Sequence, residues 1–330
     1  MIKNTSFTLF LITVIAAGVF AQTPTASPSL QTSTQVSSTP VGLETILSEA
    51  EKQAVNYQEE FKNLLATETK TFEEYDKNGN LKNQTNVESN FFVYQSAKNK
   101  DLSSELRNVT KVDGKLVPDS QVRADRFLAE LEKTSTVEKE LEKIQNEGSR
   151  YDKTLRINGL TLFEAISLDD ALRSYFDFSL VGSENYQGRE VYVISYQQTK
   201  KSPLITINEN ASNNKQIKAG FDVSLPGSLK KTDVFLRGKL WIDKQNFQIW
   251  REERQLAVQT ATPIVAMETI LEYQPSEFGI LVPKKISLQT NNIKKSSKEN
   301  EFTAKKDSKV TYDYSKFRKF NVDVKVLDDN

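Results

Sequence analysis

Residues 237–254 read Arg237-Gly-Lys-Leu-Trp-Ile-Asp243-Lys-Gln-Asn246-Phe-Gln-Ile-Trp-Arg-Glu-Glu-Arg254. Two short runs, each carrying a tryptophan (Trp241 and Trp250), flank the polar insert Asp243-Lys244-Gln245-Asn246. Aromatic and β-branched residues favour a pleated, half-buried surface, whereas Asp and Asn favour the turn between two strands. The stretch therefore predicts a β-hairpin with one apolar and one wet face. Side chains alternate across a strand, so Leu240 and Ile242 fall opposite Trp241, and one side of the hairpin at most meets a core or a cavity.

Working outward, the surrounding chain repeats this pattern. Strands are predicted at 175–181, 190–196, 239–242, 247–256, 266–273, 282–289 and 309–322, with turns at Tyr186-Gln187-Gly188-Arg189 and Ser276-Glu277-Phe278-Gly279. Closely spaced strands joined by hairpin turns imply an antiparallel meander, not a parallel sheet built from βαβ units. Further upstream, Asn78-Gly79 and Asp113-Gly114 are strong hairpin signals. The first joins a strand ending at Tyr75 to one over 81–89, with a further strand at Phe91-Phe92-Val93-Tyr94. The second joins 106–111 to 115–117.

Helices are few. Leu43, Ile46, Leu47, Ala50, Ala54, Tyr57, Phe61 and Leu64 recur at three- and four-residue steps, which predicts an amphipathic helix over 43–65. A charged helical section spans 119–148; between Asp119 and Asp152 it carries nine acidic and six basic residues and must largely face water. Its apolar phase breaks at Thr134-Ser135-Thr136, where Ser135 and Glu138 fit a capping box. Short helical turns are expected at 160–163 and 171–173, with Ser167 and Asp170 spaced as a cap.

The N-terminus is of another kind. One lysine precedes the apolar run 7–20, and Val19-Phe20-Ala21 offers small residues for cleavage, a pattern that describes a secretory signal peptide over 1–21. The run is shorter than the roughly 20 apolar residues of a membrane span. Residues 22–40 are Ser, Thr, Gln and Pro with almost nothing to bury, hence a disordered linker. The rest, 41–330, is expected to form one domain, with 66–150 as an extended hairpin and charged-helix section. The expected location is periplasmic or secreted.

Composition narrows the chemistry. Lysine and arginine balance aspartate and glutamate at 44 each, so no global charge draws the protein to nucleic acid. Histidine and cysteine are both absent, which excludes Ser-His and Cys-His nucleophiles, His-based metal sites and disulfides. No cofactor, metal or catalytic residue is assigned. A carboxylate hydrolase built on pairs among Asp169, Asp170, Glu252 and Glu253 is the remote alternative, because adjacent acids are usually surface residues. Between Lys284 and Lys309 eight lysines face three acidic residues, and the polar excursion 291–308 offers a peripheral membrane contact as well as plain solvation.

The order of motifs resembles that of LolA-like proteins, the periplasmic lipoprotein carriers and their lipid-binding and sigma-regulator relatives, including secreted acidobacterial proteins described as outer-membrane lipoprotein-sorting. The resemblance rests on Gly238-Lys239-Leu240-Trp241-Ile242-Asp243 followed by Phe247-Gln248-Ile249-Trp250-Arg251. It extends to Gly188-Arg189-Glu190-Val191-Tyr192-Val193-Ile194 upstream, and to Gly279-Ile280-Leu281-Val282-Pro283-Lys284 and the run 312–320 downstream. It covers roughly 151–322. It implies an α+β fold: a curved antiparallel sheet, an unclosed half β-barrel, with covering helices and an apolar concave face that holds acyl chains. An unclosed sheet has an apolar face that needs cover, and incomplete cover leaves a lined cavity. Phe176, Phe178, Leu180, Trp241, Phe247, Ile249, Trp250 and Met267 are the candidate lining, although each taken alone reads first as an ordinary core residue. The expected partners are lipid or lipoprotein acyl chains. The alternative is an envelope protein-interaction or stress-sensing module on the same fold.

Overall fold

A computed structural model describes residues 41–95, 103–131, 160–162, 164–201, 204–207, 221–223, 234–295 and 301–319. The expected signal peptide, the linker, the break in the charged helix and the end of the last predicted strand lie outside them. Helix α1 (Leu43–Glu60) precedes β1 (Leu64–Tyr75), β2 (Leu81–Gln95), β3 (Ser103–Val112) and β4 (Lys115–Leu116). Helix α2 (Ser120–Leu131) follows; after it come a 3-10 turn (Ile166–Leu168) and the one-turn helix α3 (Asp170–Arg173). The remaining strands are β5 (Phe176–Tyr186), β6 (Arg189–Gln198), β7 (Ile205–Ile207), β8 (Phe221–Val223), β9 (Val234–Asp243), β10 (Ile249–Val258), β11 (Ile264–Pro275), β12 (Leu281–Lys295) and β13 (Phe302–Lys319).

Eleven strands make one curved antiparallel sheet in the order β4-β3-β2-β1-β13-β12-β11-β10-β9-β6-β5. Its ends do not meet, so the fold is the unclosed α+β half-barrel that the motifs imply. Nearly every neighbour is a sequence-adjacent hairpin. The exceptions are β1 with β13 and β6 with β9. The β1–β13 ladder makes β1 to β4 an integral half of the sheet. The parallel pair β7–β8 stands apart from it.

Several elements differ from expectation for local reasons. Helix α1 ends at Glu60; Phe61 caps it by donating its N–H to the Tyr57 carbonyl. Asn63 then takes a left-handed φ of 52°, which turns the chain so that Leu64 pairs with Val93 and Lys319. Leu64 is thus a strand residue, not the last rung of a helical stripe. The segments 81–89 and 91–94 are one 15-residue strand, because Asn90 simply continues the ladder opposite Thr67. The lysine-rich excursion is paired as far as Lys295 with Phe302, so most of it is ladder and not loop. Asp169, not Ser167, caps α3: its carboxylate accepts from the Ala171 N–H at 3.0 Å. Ser167 is fully buried, and its hydroxyl has no hydrogen-bond partner among the described residues.

Two apolar clusters fill the face that α1 covers, here the inner face. The first joins Ile46, Leu47, Ala50 and Ala54 of α1 to Leu236, Leu240, Ile242, Ile249, Leu256 and Val258. The second joins Tyr57 and Phe61 to Leu64, Phe91, Tyr273, Ile286, Val310 and Tyr312. Helix α2 lies on the opposite face of β3, where the Asn108 side chain donates to the Ser120 carbonyl at 3.0 Å. The 237–254 hairpin is buried on both sides where β9 approaches the turn, at Leu240, Trp241, Ile242 and Asp243, and beyond them the turn residues Gln245 and Asn246 are exposed.

Candidate ligand-binding face

The inner face is apolar but not uniformly so. Residues of β1 that point inward include Glu68 and Lys70 beside Leu64, Ala66 and Phe72. Opposite them, Arg107 donates from Nε to both Glu68 oxygens at 2.9 Å and from a terminal nitrogen to Glu105 at 3.1 Å. Its guanidinium lies over the Phe91 and Tyr312 rings. The free oxygen of Glu105 accepts from both the backbone N–H and the hydroxyl of Thr161 at 2.7 Å. Burial works against the Arg107 charge, but Glu68 and then Glu105 outweigh it and hold the guanidinium well above its ordinary range. Burial, with Arg107 adding to it, pulls Lys70 down to about 8.

A second buried group lies on β10. Arg254 makes two bonds to the Glu252 carboxylate at 2.9 and 2.8 Å. Glu252 also accepts from the Tyr196 hydroxyl at 3.1 Å and from the Ala165 N–H at 3.2 Å. Burial first, and the Glu252 charge second, raise Tyr196 far above a free phenol, so it remains a neutral donor. Buried ion pairs seldom add net stability over apolar packing. What these two do is hold backbone: Glu105 fastens Thr161 and Glu252 fastens Ala165, so the described residues 160–162 and 164–168 form a strap across the inner face. Tyr57 of α1 closes the layer by donating its hydroxyl to the Thr161 carbonyl at 2.6 Å.

Helix α1 sits as a roof on this layer, with Ile46, Leu47, Ala50 and Tyr57 at most 1% exposed. Ion pairs join it at each end: Arg173 reaches Glu44 at 2.6 Å and Glu51 at 3.2 Å, and Lys319 reaches Glu60 at 2.7 Å. Partly exposed pairs of this kind contribute little, about 0–1 kcal/mol each. The helix N-terminus at Gly42 has no side-chain cap.

The eight expected lining residues do not form one surface. Phe176 and Ile249 are buried in the first cluster, and Phe178, Phe247 and Met267 pack against it. Leu180 lies on the edge strand β5 and is 44% exposed. Trp250 falls at a bulge and belongs to the second cluster, with the Arg189 guanidinium 4.3 Å above its ring. Trp241 is on the outer face with Val191 and Val193; its indole donates to Glu184 at 2.6 Å and Arg251 stacks over it. The acidic pairs do not converge either. Glu252 points inward to Arg254, whereas Glu253 points outward to Arg251 at 2.6 Å. Among the described residues, no group of three or more acidic side chains could hold a metal ion. Sequence reading missed the charged residues at inward positions (Glu68, Lys70, Arg107, Glu252 and Arg254). The signal was present, since each shares the strand parity of core residues.

No protein-family model matches the chain, and no curated protein matches it in sequence. Among solved structures it is similar to a LolA superfamily protein from Nitrosomonas europaea, with 10% identity over 85% of this chain and 94% of that one and a TM-score of 0.32. It is similar also to a DUF1329 family protein from Desulfovibrio piger, with 11% identity, coverages of 86% and 95% and a TM-score of 0.34. A Vibrio parahaemolyticus domain described as an outer membrane lipoprotein-sorting protein gives 9% identity, coverages of 84% and 96% and a TM-score of 0.33.

Proposed function

We propose that this is an exported binding protein whose inner sheet face takes the acyl chains of a lipid or lipoprotein in place of α1. The roof is the observation that supports the reading: one amphipathic helix, lying over the strap, completes the cover of the apolar face of an unclosed sheet. Its apolar stripe occupies the volume that a chain would fill, so binding is an exchange of like for like. Burying Ile46, Leu47 and Tyr57 contributes about 1.5–3 kcal/mol each. An acyl chain offers about 0.8 kcal/mol per buried methylene, so a pair of chains of about sixteen carbons outweighs the stripe. The weak ion pairs at the helix ends and the uncapped start at Gly42 put little in the way of the exchange. Phe176, Phe178, Ile249 and Met267 would then line the occupied face. The N-terminal pattern over 1–21 supports export to the periplasm or beyond.

Native mass spectrometry of the protein taken from its own envelope tests this. Co-purifying lipid mass is the expected result; a clean protein mass, with no uptake of added phospholipid, would overturn it.

The β5 edge favours a second reading, an envelope interaction or sensing module. That strand has no partner on its outer side among the described residues, carries exposed Leu180 and Val181, and lacks the lysines and prolines that usually blunt an edge. A bound protein in the same mass spectrum, lost on substituting Val181→Lys, would support it.

A further inference from the structure

The turn between β11 and β12 and the irregular end of β13 enclose a cleft of about 320 Å³, within the about 300–1,000 Å³ usual for small-ligand sites. Its walls are tied together without α1. The Ser276 hydroxyl donates to the Ile280 carbonyl at 2.6 Å and accepts from the Phe278 N–H at 3.2 Å, which closes the turn. The Gln274 side-chain amide donates to the Pro283 and Tyr314 carbonyls, each at 3.4 Å, and so joins β11 to β12 and β13. No residue of α1 lines the cleft, so it persists when the helix leaves the inner face.

The β13 wall is strained. Leu65 pairs with Arg318 and Thr67 with Ser315, so Lys316 and Phe317 together stand opposite Ala66 in a β-bulge. The left-handed position of such a bulge ordinarily takes glycine. Here Lys316 occupies it, with a φ of 56°. Simple alternation from Val310, Tyr312 and Tyr314 would turn Lys316 toward the core. The bulge instead places it, exposed, on the cleft and gives the inward place to Phe317, which packs on Tyr314. Strain of this kind gathers at ligand sites, where the surrounding structure holds it.

We infer that the cleft seats a zwitterionic phosphate–ammonium head, and hence that the acyl ligand is a zwitterionic phospholipid. The inference rests on the acyl-binding reading above and names its headgroup. Lys316 and Glu277 line the same cleft, both exposed, and neither makes an ion pair among the described residues, with the other or with a third group. Two opposite charges that border one space without pairing match a ligand that carries both signs: the phosphate goes to Lys316 and the ammonium to Glu277. A singly charged head would pair with one and be repelled by the other. The half-buried rings of Phe278 and Phe317 offer the ammonium an apolar surface that favours cations. Phe317 belongs to both sites, since it lines the cleft and packs on the second apolar cluster. A chain laid on the inner face in place of α1 therefore reaches the cleft over this ring.

Calorimetric titration of the full chain at low salt, with dodecylphosphocholine, dodecyl phosphate, dodecyltrimethylammonium and chainless phosphocholine, tests the inference. The native protein is compared with Lys316→Gly and Glu277→Gln. Both variants keep the fold, because glycine is the residue the bulge favours and Glu277 is an exposed turn residue. An exposed ion pair is worth up to about fivefold in affinity. Dodecylphosphocholine should bind about fivefold tighter than either singly charged amphiphile. Lys316→Gly should erase its advantage over the ammonium head alone, and Glu277→Gln its advantage over the phosphate head alone, a crossover that a purely structural role would not produce. Chainless phosphocholine should bind far more weakly. Equal affinity for the three long-chain heads, or an unchanged preference in both variants, overturns the headgroup assignment and leaves acyl binding standing. Phosphocholine binding as tightly as dodecylphosphocholine overturns the amphiphile. Failure of all three long chains overturns this inference together with the reading beneath it.

Discussion

Gly238 offers a sharp test of how the inner face is built. The backbone there is not in the left-handed region, so an alanine is conformationally acceptable, and the glycine is needed for space alone. A Cβ at this position would overlap the Glu253 carbonyl oxygen and stand 2.5 Å from the Tyr196 hydroxyl and 2.6 Å from its ring. Tyr196 is paired with Gly238 across β6 and β9, and its ring lies over the glycine so that the hydroxyl can reach Glu252. The carbonyl belongs to ladder backbone and cannot move cheaply. The tyrosine could swing away, but only by withdrawing its hydrogen bond from a buried carboxylate. Overpacking costs about 1–3 kcal/mol, and a hydrogen bond to a charged group about 1.5–3 kcal/mol. Gly238→Ala should therefore destabilise the fold by about 3–5 kcal/mol, a large part of the usual 5–15 kcal/mol. Urea unfolding followed by tryptophan fluorescence measures it, and repeating the substitution in a Tyr196→Ala background should recover at least about 1 kcal/mol as coupling. A Gly238→Ala protein within about 0.5 kcal/mol of the native one, with an unchanged denaturant slope, would refute the close-approach argument.

Other outcomes follow from the same contacts. Burial, and after it the Glu252 charge, raise the Glu164 carboxyl in the folded state, so its contribution to stability is present at acid pH and is lost as pH rises above the ordinary carboxylate range. Glu164→Gln should thus gain on the native protein as unfolding is measured from pH 4 to pH 8, and parallel curves would contradict this. Arg107→Met leaves Glu68 and Glu105 buried without their cation, and should lower stability by about 3–5 kcal/mol in urea; a loss below about 1 kcal/mol would show that water reaches them. Trp241 faces away from α1, so Trp241→Phe should leave acyl affinity within about twofold, whereas Phe178→Glu on the inner face should weaken it at least about tenfold, read by fluorescent fatty acid displacement.

The hairpins were legible because their chemistry is local. Asn78-Gly79 and Asp113-Gly114 force their turns, and Asp243 organises the 243–248 turn by accepting from the Gln245 N–H at 2.7 Å and the Asn246 N–H at 3.2 Å. The joining of β1 to β13 across more than two hundred residues of chain has no local signature, and neither does the strap. The faces of the hairpin were half legible. Alternation separates Trp241 from Leu240 and Ile242, but the bulge between Ile249 and Arg251 shifts the second strand and moves Trp250 out of simple register. The inward charges escaped notice because Glu252 and Glu253 read as a surface pair. Only the parity of Glu252 and Arg254 with Leu256 shows that they point to the core.

The central claim is that acyl chains take the place of α1 on the inner face, and immobilising the helix tests it most directly. The chain has no cysteine, so Glu44→Cys with Arg173→Cys, and Glu60→Cys with Lys319→Cys, can be bridged by a short bis-maleimide without side reactions. Fluorescent fatty acid should bind the unbridged variant as it binds the native chain, and the doubly bridged protein at least about tenfold more weakly. Unchanged affinity with both ends of α1 fastened would place the ligand elsewhere and contradict the account.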